Sequence, residues 1–115
     1  MTVLNEGKHT AEFLLSEGNG SISREEIVIS STAGALVPGT VLGKITATGE
    51  YAAYDNGAGD GTEVAAGVLY RGVPDSAADQ GAVMIARHAE VMESELTGIN
   101  AAGKADLAAL GIICR

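Results

Sequence analysis

Apolar residues in this chain fall in short runs bounded by glycine- and proline-rich corners, with little sustained helical spacing before residue 99. "SREEIVISS" carries the branched residues Ile27, Val28 and Ile29 in a row and predicts a strand. "TAGALVPG" predicts a turn with its corner at Pro38-Gly39. "TVLGKITA" predicts a second strand, and Gly43 inside it predicts a bulge or a close backbone approach. Gly49-Glu50 turns the chain into "EYAAYD", and residues 55–62 lead to "EVAAGVLYRGV". Together these predict an up-and-down β run. "PDSAADQG" is a further loop, and "AVMIARHAEV" predicts one strong strand with Val83, Met84, Ile85 and Val91 as its apolar residues. The character then changes. "GINAAGKADLAALG" has Ala and Leu at helical spacing, with Asn100 as N-cap, Gly111 just past the end and Ile112 folding back on the last turn. Gly103 weakens that helix by roughly 1 kcal/mol relative to Ala, which predicts a short one. The fold class is α+β and β-dominated: a small single domain of short, mostly antiparallel strands with one short C-terminal helix.

An extended N-terminal arm precedes this body. Residues 1–20 read as a flexible arm and residues 21–115 as the β-rich domain. "MTVLNEGKHT" is polar and aperiodic, "AEFLLS" is a short apolar island, and "EGNGS" is a flexible joint. An island as small as Phe13-Leu14-Leu15 does not offset the roughly 1–2 kcal/mol per residue needed to order its backbone. It is expected to stay mobile until it meets a partner.

Composition narrows the function. A chain of 115 residues is one domain that buries a core without disulfides or metals. The formal net charge is −8, and the seven basic residues are scattered from Lys8 to Arg115, so phosphate backbones are repelled and nucleic acid is not a partner. No apolar run approaches a membrane span, and "MTVLNEGKHT" places a Glu where a secretory apolar segment would begin. The one Phe and three Tyr leave a core of Val, Ile, Leu and Ala, light in large anchors, for which oligomerisation is a natural source of further burial.

Candidate chemistry is thin. "YDNGAGDGTE" gathers Asp55, Asn56, Asp60 and Glu63 among Gly57, Gly59 and Gly61. A calcium loop needs side-chain oxygens at its first, third and fifth positions, but counting from Asp55 gives Gly57 and Gly59. The Lys-Ser/Thr of a phosphate loop and the G-x-G-x-x-G of a dinucleotide site are missing too. Asp-Asn-Gly and Asp-Gly are strong turn formers, so the stretch reads as a connecting loop. Cys114 reads as a small apolar residue, because a nucleophile needs a base and His9 and His88 are distant in sequence. His88 reads as a surface or interface residue, and Glu90, Glu93 and Glu95 as a solvated acidic surface. Lys44 lies inside a strand and Lys104 in the helix, neither in the tight hairpin of a lipoyl or biotinyl carrier. No cofactor, metal, membrane or small-molecule substrate is called for, and the chain is not read as an enzyme.

The landmarks do match a known family in order and spacing. "LVPGTVLGKITATGEYAAYDNGAGDGTEVAAGVLYRGV", then "AVMIARHAEV" and "ALGIICR", resemble the head decoration proteins of tailed bacteriophages, the group of the lambda head-stabilising protein. In that family a strand ending in an aromatic and Asp (here Tyr54-Asp55) is followed by a glycine-rich acidic loop and an "AAGVL"-like strand. The resemblance implies a late, non-enzymatic virion protein made in the host cytoplasm. It implies a homotrimer that sits on the outer surface of the expanded head, bound to the major capsid protein. Its arm would be mobile when free and would order on the capsid. The expected capsid-binding arm is Thr10, Ala11, Glu12, Phe13, Leu14, Leu15 and Ser16, with Ile22 and Ile27 following. It would add a strand to a free sheet edge, with Phe13 and Leu15 in pockets on one face. The alternative is a virion-displayed ligand- or glycan-binding β-module for host adhesion, against which the lack of Trp speaks.

Overall fold

The computed structural model describes residues 9–20 and 22–115. Its order is β1 (Leu14–Glu17), β2 (Arg24–Ile29), β3 (Val41–Lys44), β4 (Tyr51–Ala53), β5 (Ala65–Leu69), β6 (Gln80–Ile85) and β7 (Ala89–Val91). A 3₁₀ turn (Glu93–Glu95), α1 (Ala101–Ala109) and β8 (Ile112–Cys114) complete it. The domain is strand-dominated, mostly antiparallel, with one α-helix among the described residues.

Five strands close into a barrel in the order β2-β4-β3-β5-β6. This corrects the up-and-down expectation, since β2 and β3 are not neighbours. β2 runs antiparallel to β6 over its full length and meets β4 in parallel only at Ile29↔Tyr51. The connection from Ser30 to Thr40 is the reason. It is held by the bridges Leu36↔Val73 and Thr40↔Thr97, so it crosses the barrel end instead of turning tightly into a hairpin. Of the bulge or close backbone approach expected at Gly43, the structure shows the approach, since a Cβ there would lie 2.5 Å from Thr62 Cα. The register shift beside it, from Leu42↔Gly67 to Gly43↔Ala65, leaves its extra residue, Ala66, on β5.

A second sheet has the order β1-β7-β8. The single strand read from "AVMIARHAEV" is two: β6 ends at Ile85 in the barrel, and β7 begins at Ala89 in this sheet. Between them His88 takes a φ of 51°, a left-handed conformation that breaks the pleat. α1 supplies the crossover that lets β8 lie parallel to β7. Its caps are those read from sequence. The Asn100 side chain accepts from Gly103 N at 2.7 Å, and Gly111 follows the helix at φ 81°. Gly103 has a packing reason as well, because a Cβ there would lie 3.1 Å from the Tyr54 ring. The Tyr54 hydroxyl also bonds Asn100 Oδ1 at 3.0 Å, tying β4's end to the helix cap.

The apolar island is also placed differently from expectation. Phe13 is 1% exposed and packs in the main core with Val41, Tyr54, Val68, Ile85, Val91, Leu107 and Ile112. β1 pairs antiparallel with β7, so residues 13–17 belong to the body and not to a separate arm. A sheet edge and a ring-sized site in an aromatic-poor core together supply the stabilisation that the island lacks on its own. Residues 1–8 of the expected arm lie outside the described residues.

Candidate functional site

The surface that the N-terminal segment builds is the outer face of the β1-β7-β8 sheet, with the turn that leads to β2. Strand alternation sorts it. Leu14, Val91 and Cys114 form one row toward the core, whereas Ser16, Glu90 and Ile113 form the outward row. A bulge between Leu14 and Ser16 leaves Leu15 47% exposed. The following turn is pinned from within by Ser23, which is fully buried. Its hydroxyl accepts from Gly18 N at 2.8 Å and donates to the His88 carbonyl at 2.9 Å. Ile22, at the tip, is 56% exposed, while Arg87 Nη1 donates to its carbonyl at 2.7 Å.

Glu90 is the polar centre of the face. It accepts from the Ser16 hydroxyl at 2.8 Å and from Arg115 Nε at 2.6 Å, so β1, β7 and the chain end meet on one carboxylate. The Ser16 hydroxyl first, and the Arg115 guanidinium next, hold the Glu90 carboxyl below its ordinary value of 4.5. A depressed acid stabilises the fold at pH above its unfolded value, and that contribution is lost as pH falls through the lower folded one. Glu90→Gln should therefore flatten the acid limb of stability below pH 4.5, read as urea midpoints across the acid range. An unchanged acid limb would show that this carboxylate is merely solvated.

The residues expected to form the capsid-binding arm divide sharply. Thr10, Glu12, Leu15, Ser16 and Ile22 are exposed, and Ala11 and Leu14 are half-buried. Phe13 and Ile27 are in the two cores, so the expectation that Phe13 seats in a partner's pocket does not hold for this conformation. Ala11 adopts φ 58° and donates its N–H to the Tyr70 carbonyl at 2.9 Å, which turns the chain into β1. Ile113 and Arg115 were not singled out from sequence. The alternation in "IICR" was the available signal, with Ile112 inward and Ile113 outward.

The other candidates resolve into local structure. In the acidic loop, Asp55 Oδ1 accepts from Gly57 N at 3.0 Å, and Asp60 Oδ1 accepts from Thr62 N at 3.0 Å and from its hydroxyl at 2.6 Å. Glu63 Oε1 accepts from Gly61 N at 2.8 Å. These carboxylates fold the loop back on itself, as Asx turns do. Glu93 pairs with Lys104 at 2.7 Å. Cys114 is half-buried, and burial pushes its thiol up, away from a reactive thiolate. Among the described residues, no three His, Cys, Asp or Glu side chains converge to hold a metal.

Comparison with known proteins adds the family. No curated protein matches the chain. The family model described as bacteriophage lambda head decoration protein D matches residues 3–112, which takes in β1, the barrel, the acidic loop and α1. Matched over nearly its whole length, and carrying the strand, loop and helix landmarks in the expected order, the chain belongs to the bacteriophage lambda head decoration protein D family.

Proposed function

We propose that this protein is a cement of the phage head, binding the outer surface of the expanded capsid as trimers and stabilising it against the pressure of packaged DNA. The family match over residues 3–112 carries this reading. The net charge of −8 suits a surface kept away from DNA, and the aromatic-poor core suits a protein that gains burial by association. The contact with the major capsid protein is assigned to Thr10, Ala11, Glu12, Leu14, Leu15, Ser16 and Ile22. β1 is an edge strand, and an extended capsid segment can pair with it through main-chain hydrogen bonds while Leu15 and Ile22 supply apolar anchors. Phe13 and Ile27 contribute from beneath, by holding β1 and β2 in place. Three copies in one trimer would multiply a modest contact through avidity.

Co-sedimentation with expanded shells that lack decoration tests this. Wild-type protein should decorate them, and light scattering should give three times 11.6 kDa. Leu15→Glu and Ile22→Glu should fold normally by circular dichroism yet bind roughly 10-fold or more weakly. Protein that never bound shells, or that remained a single 11.6 kDa chain both free and bound, would sink the reading.

A further inference from the structure

Two loops of this chain carry the same dipeptide, Asn19-Gly20 and Asn56-Gly57, and all four residues are exposed. Asn followed by Gly is the pair best disposed to react with itself. The main-chain nitrogen of the glycine reaches the side-chain Cγ of the asparagine through a five-membered ring, and glycine has no Cβ to obstruct the approach. Access to water does not separate the two sites, but hydrogen bonding does. Gly57 N donates to Asp55 Oδ1 at 3.0 Å, and Asn56 Oδ1 is bonded to the Tyr54 hydroxyl at 3.2 Å. Ala58 N donates to the Asp55 carbonyl at 3.0 Å and closes a turn around the pair. The glycine nitrogen can attack only after losing its proton. A carboxylate on that N–H both holds the proton and repels the anion that its loss would leave. At the other site, among the described residues, neither the Asn19 side chain nor the Gly20 N–H makes a hydrogen bond. Nothing lies within 4 Å of a Cβ built on Gly20, whereas one on Gly57 would meet Asp55 Oδ1 at 3.6 Å.

The position of Asn19 gives such a reaction a consequence. Gly18 N is tied to Ser23 Oγ at 2.8 Å, and that hydroxyl is anchored on the His88 carbonyl, so the turn is closed at its base. An isoaspartyl link adds one carbon to the main chain, and the closed base leaves that carbon to be taken up between Asn19 and Ile22. Ile22 is 56% exposed and belongs to the capsid contact assigned above. A carboxylate also replaces a neutral amide, adding negative charge to a chain already at −8.

We propose that Asn19-Gly20 is a self-modifying site and that Asn56-Gly57 is locked against the same reaction. Gly20 N gives its proton to hydroxide and bonds to Asn19 Cγ. The Cγ–Nδ2 bond then breaks, and the nitrogen leaves as ammonia with a proton returned from water. A second water opens the cyclic imide at one carbonyl or the other, giving aspartate or isoaspartate at position 19. The isoaspartyl turn displaces Ile22 and weakens the capsid contact. That last step rests on the capsid reading above, and the chemistry does not. Peptide mass mapping of wild-type protein held in warm, mildly alkaline buffer tests the chemistry, through the mass gained when an amide becomes an acid. Asn19 should convert about 10-fold or more faster than Asn56, whose hydrogen bonds must open first. Asp55→Ala should speed conversion at Asn56 by about 10-fold and leave Asn19 unchanged. In urea, where those bonds are gone, the two sites should convert within about 3-fold of each other. Equal rates in the folded protein overturn the proposal, and so does an Asn56 that stays slow in urea. Slower conversion at Asn56 in Asp55→Ala would make that carboxylate the base that takes the proton, which overturns the lock. For the consequence, aged wild-type protein should lose affinity for undecorated shells. Asn19→Gln protein aged alongside should keep it, since the longer side chain needs a six-membered ring. Equal binding of aged and fresh wild-type protein overturns that step. Fresh protein that never binds shells removes the capsid reading instead, and the mass map still decides the chemistry.

Discussion

Phe13→Ala should lower the unfolding free energy by about 3–5 kcal/mol, the usual cost of emptying a buried ring site. Phe13 is the only Phe in the chain, and its ring is 1% exposed. Gly39 packs beside the ring: a Cβ there would lie in ordinary contact with it, 3.5 Å from Phe13 Cδ1, and it is the Glu95 carbonyl oxygen, at 2.7 Å, that leaves no space for one. The surrounding Val41, Val68, Val91 and Ile112 are short branched side chains held in sheets. They cannot swing far to refill the space, so the cavity should persist. The Phe13 carbonyl also accepts from Met92 N at 2.7 Å, which couples the ring site to the β7 end. At several degrees per kcal/mol for a domain of this size, the melting temperature should drop by more than about 10 °C. Leu15→Ala, two residues on and 47% exposed, should stay within about 0.5 kcal/mol of wild type. Deleting residues 1–20 should leave a destabilised body, because it removes both the ring and β1. If Phe13→Ala kept wild-type stability and lost only shell binding, Phe13 would be an arm anchor after all, and the core assignment would be wrong.

That contrast shows where the sequence is legible. Asn100, Gly111, the close backbone approach at Gly43 and the strand through Ile27 and Ile29 are local signals, and each appears where its chemistry places it. The position of Phe13 is a long-range fact. Nothing in "AEFLLS" says that β7 has a free edge 74 residues away from Ser16, at Glu90. The same holds for "AVMIARHAEV", whose composition is continuous while His88 at φ 51° divides it between two sheets. An up-and-down barrel and the observed one share the same strands. They differ in where the Ser30–Thr40 connection crosses, which the bridges Leu36↔Val73 and Thr40↔Thr97 decide and local patterning does not. For the candidate site, Leu15 and Ile22 were legible as apolar residues near a glycine joint. Their exposure depends on a bulge and on the buried Ser23, neither of which alternation reveals.

The acidic loop offers the second large effect, at positions that look alike in sequence. Three glycines lie in "YDNGAGDGTE", but only Gly61 takes a left-handed conformation, with φ 111°. A Cβ on it would strike Thr46 Oγ1 and the Lys44 carbonyl. Across the contact, a Cβ on Gly43 would lie 2.5 Å from Thr62 Cα and 2.7 Å from the Thr62 carbonyl oxygen. Both obstacles are backbone, which cannot rotate aside. Thr62 is 3% exposed, and its carbonyl accepts from Asp55 N at 3.0 Å, so moving it opens the loop at both ends. Gly43→Ala should therefore cost about 1–3 kcal/mol or more by overpacking. Gly61→Ala should cost at least as much, since backbone strain adds to the clash. The two substitutions should not add. Once the loop has lifted off β3, the second change meets space that the first has already opened, so the double variant should fall short of the sum. Gly59→Ala is the internal control. Nothing lies within 4 Å of its would-be Cβ, so the result should fall between neutral and about 1 kcal/mol stabilising. Urea unfolding of the four variants reads all of this. Equal losses at Gly43 and Gly59 would mean that the loop does not press on β3, and full additivity of Gly43 with Gly61 would mean that they do not share one contact.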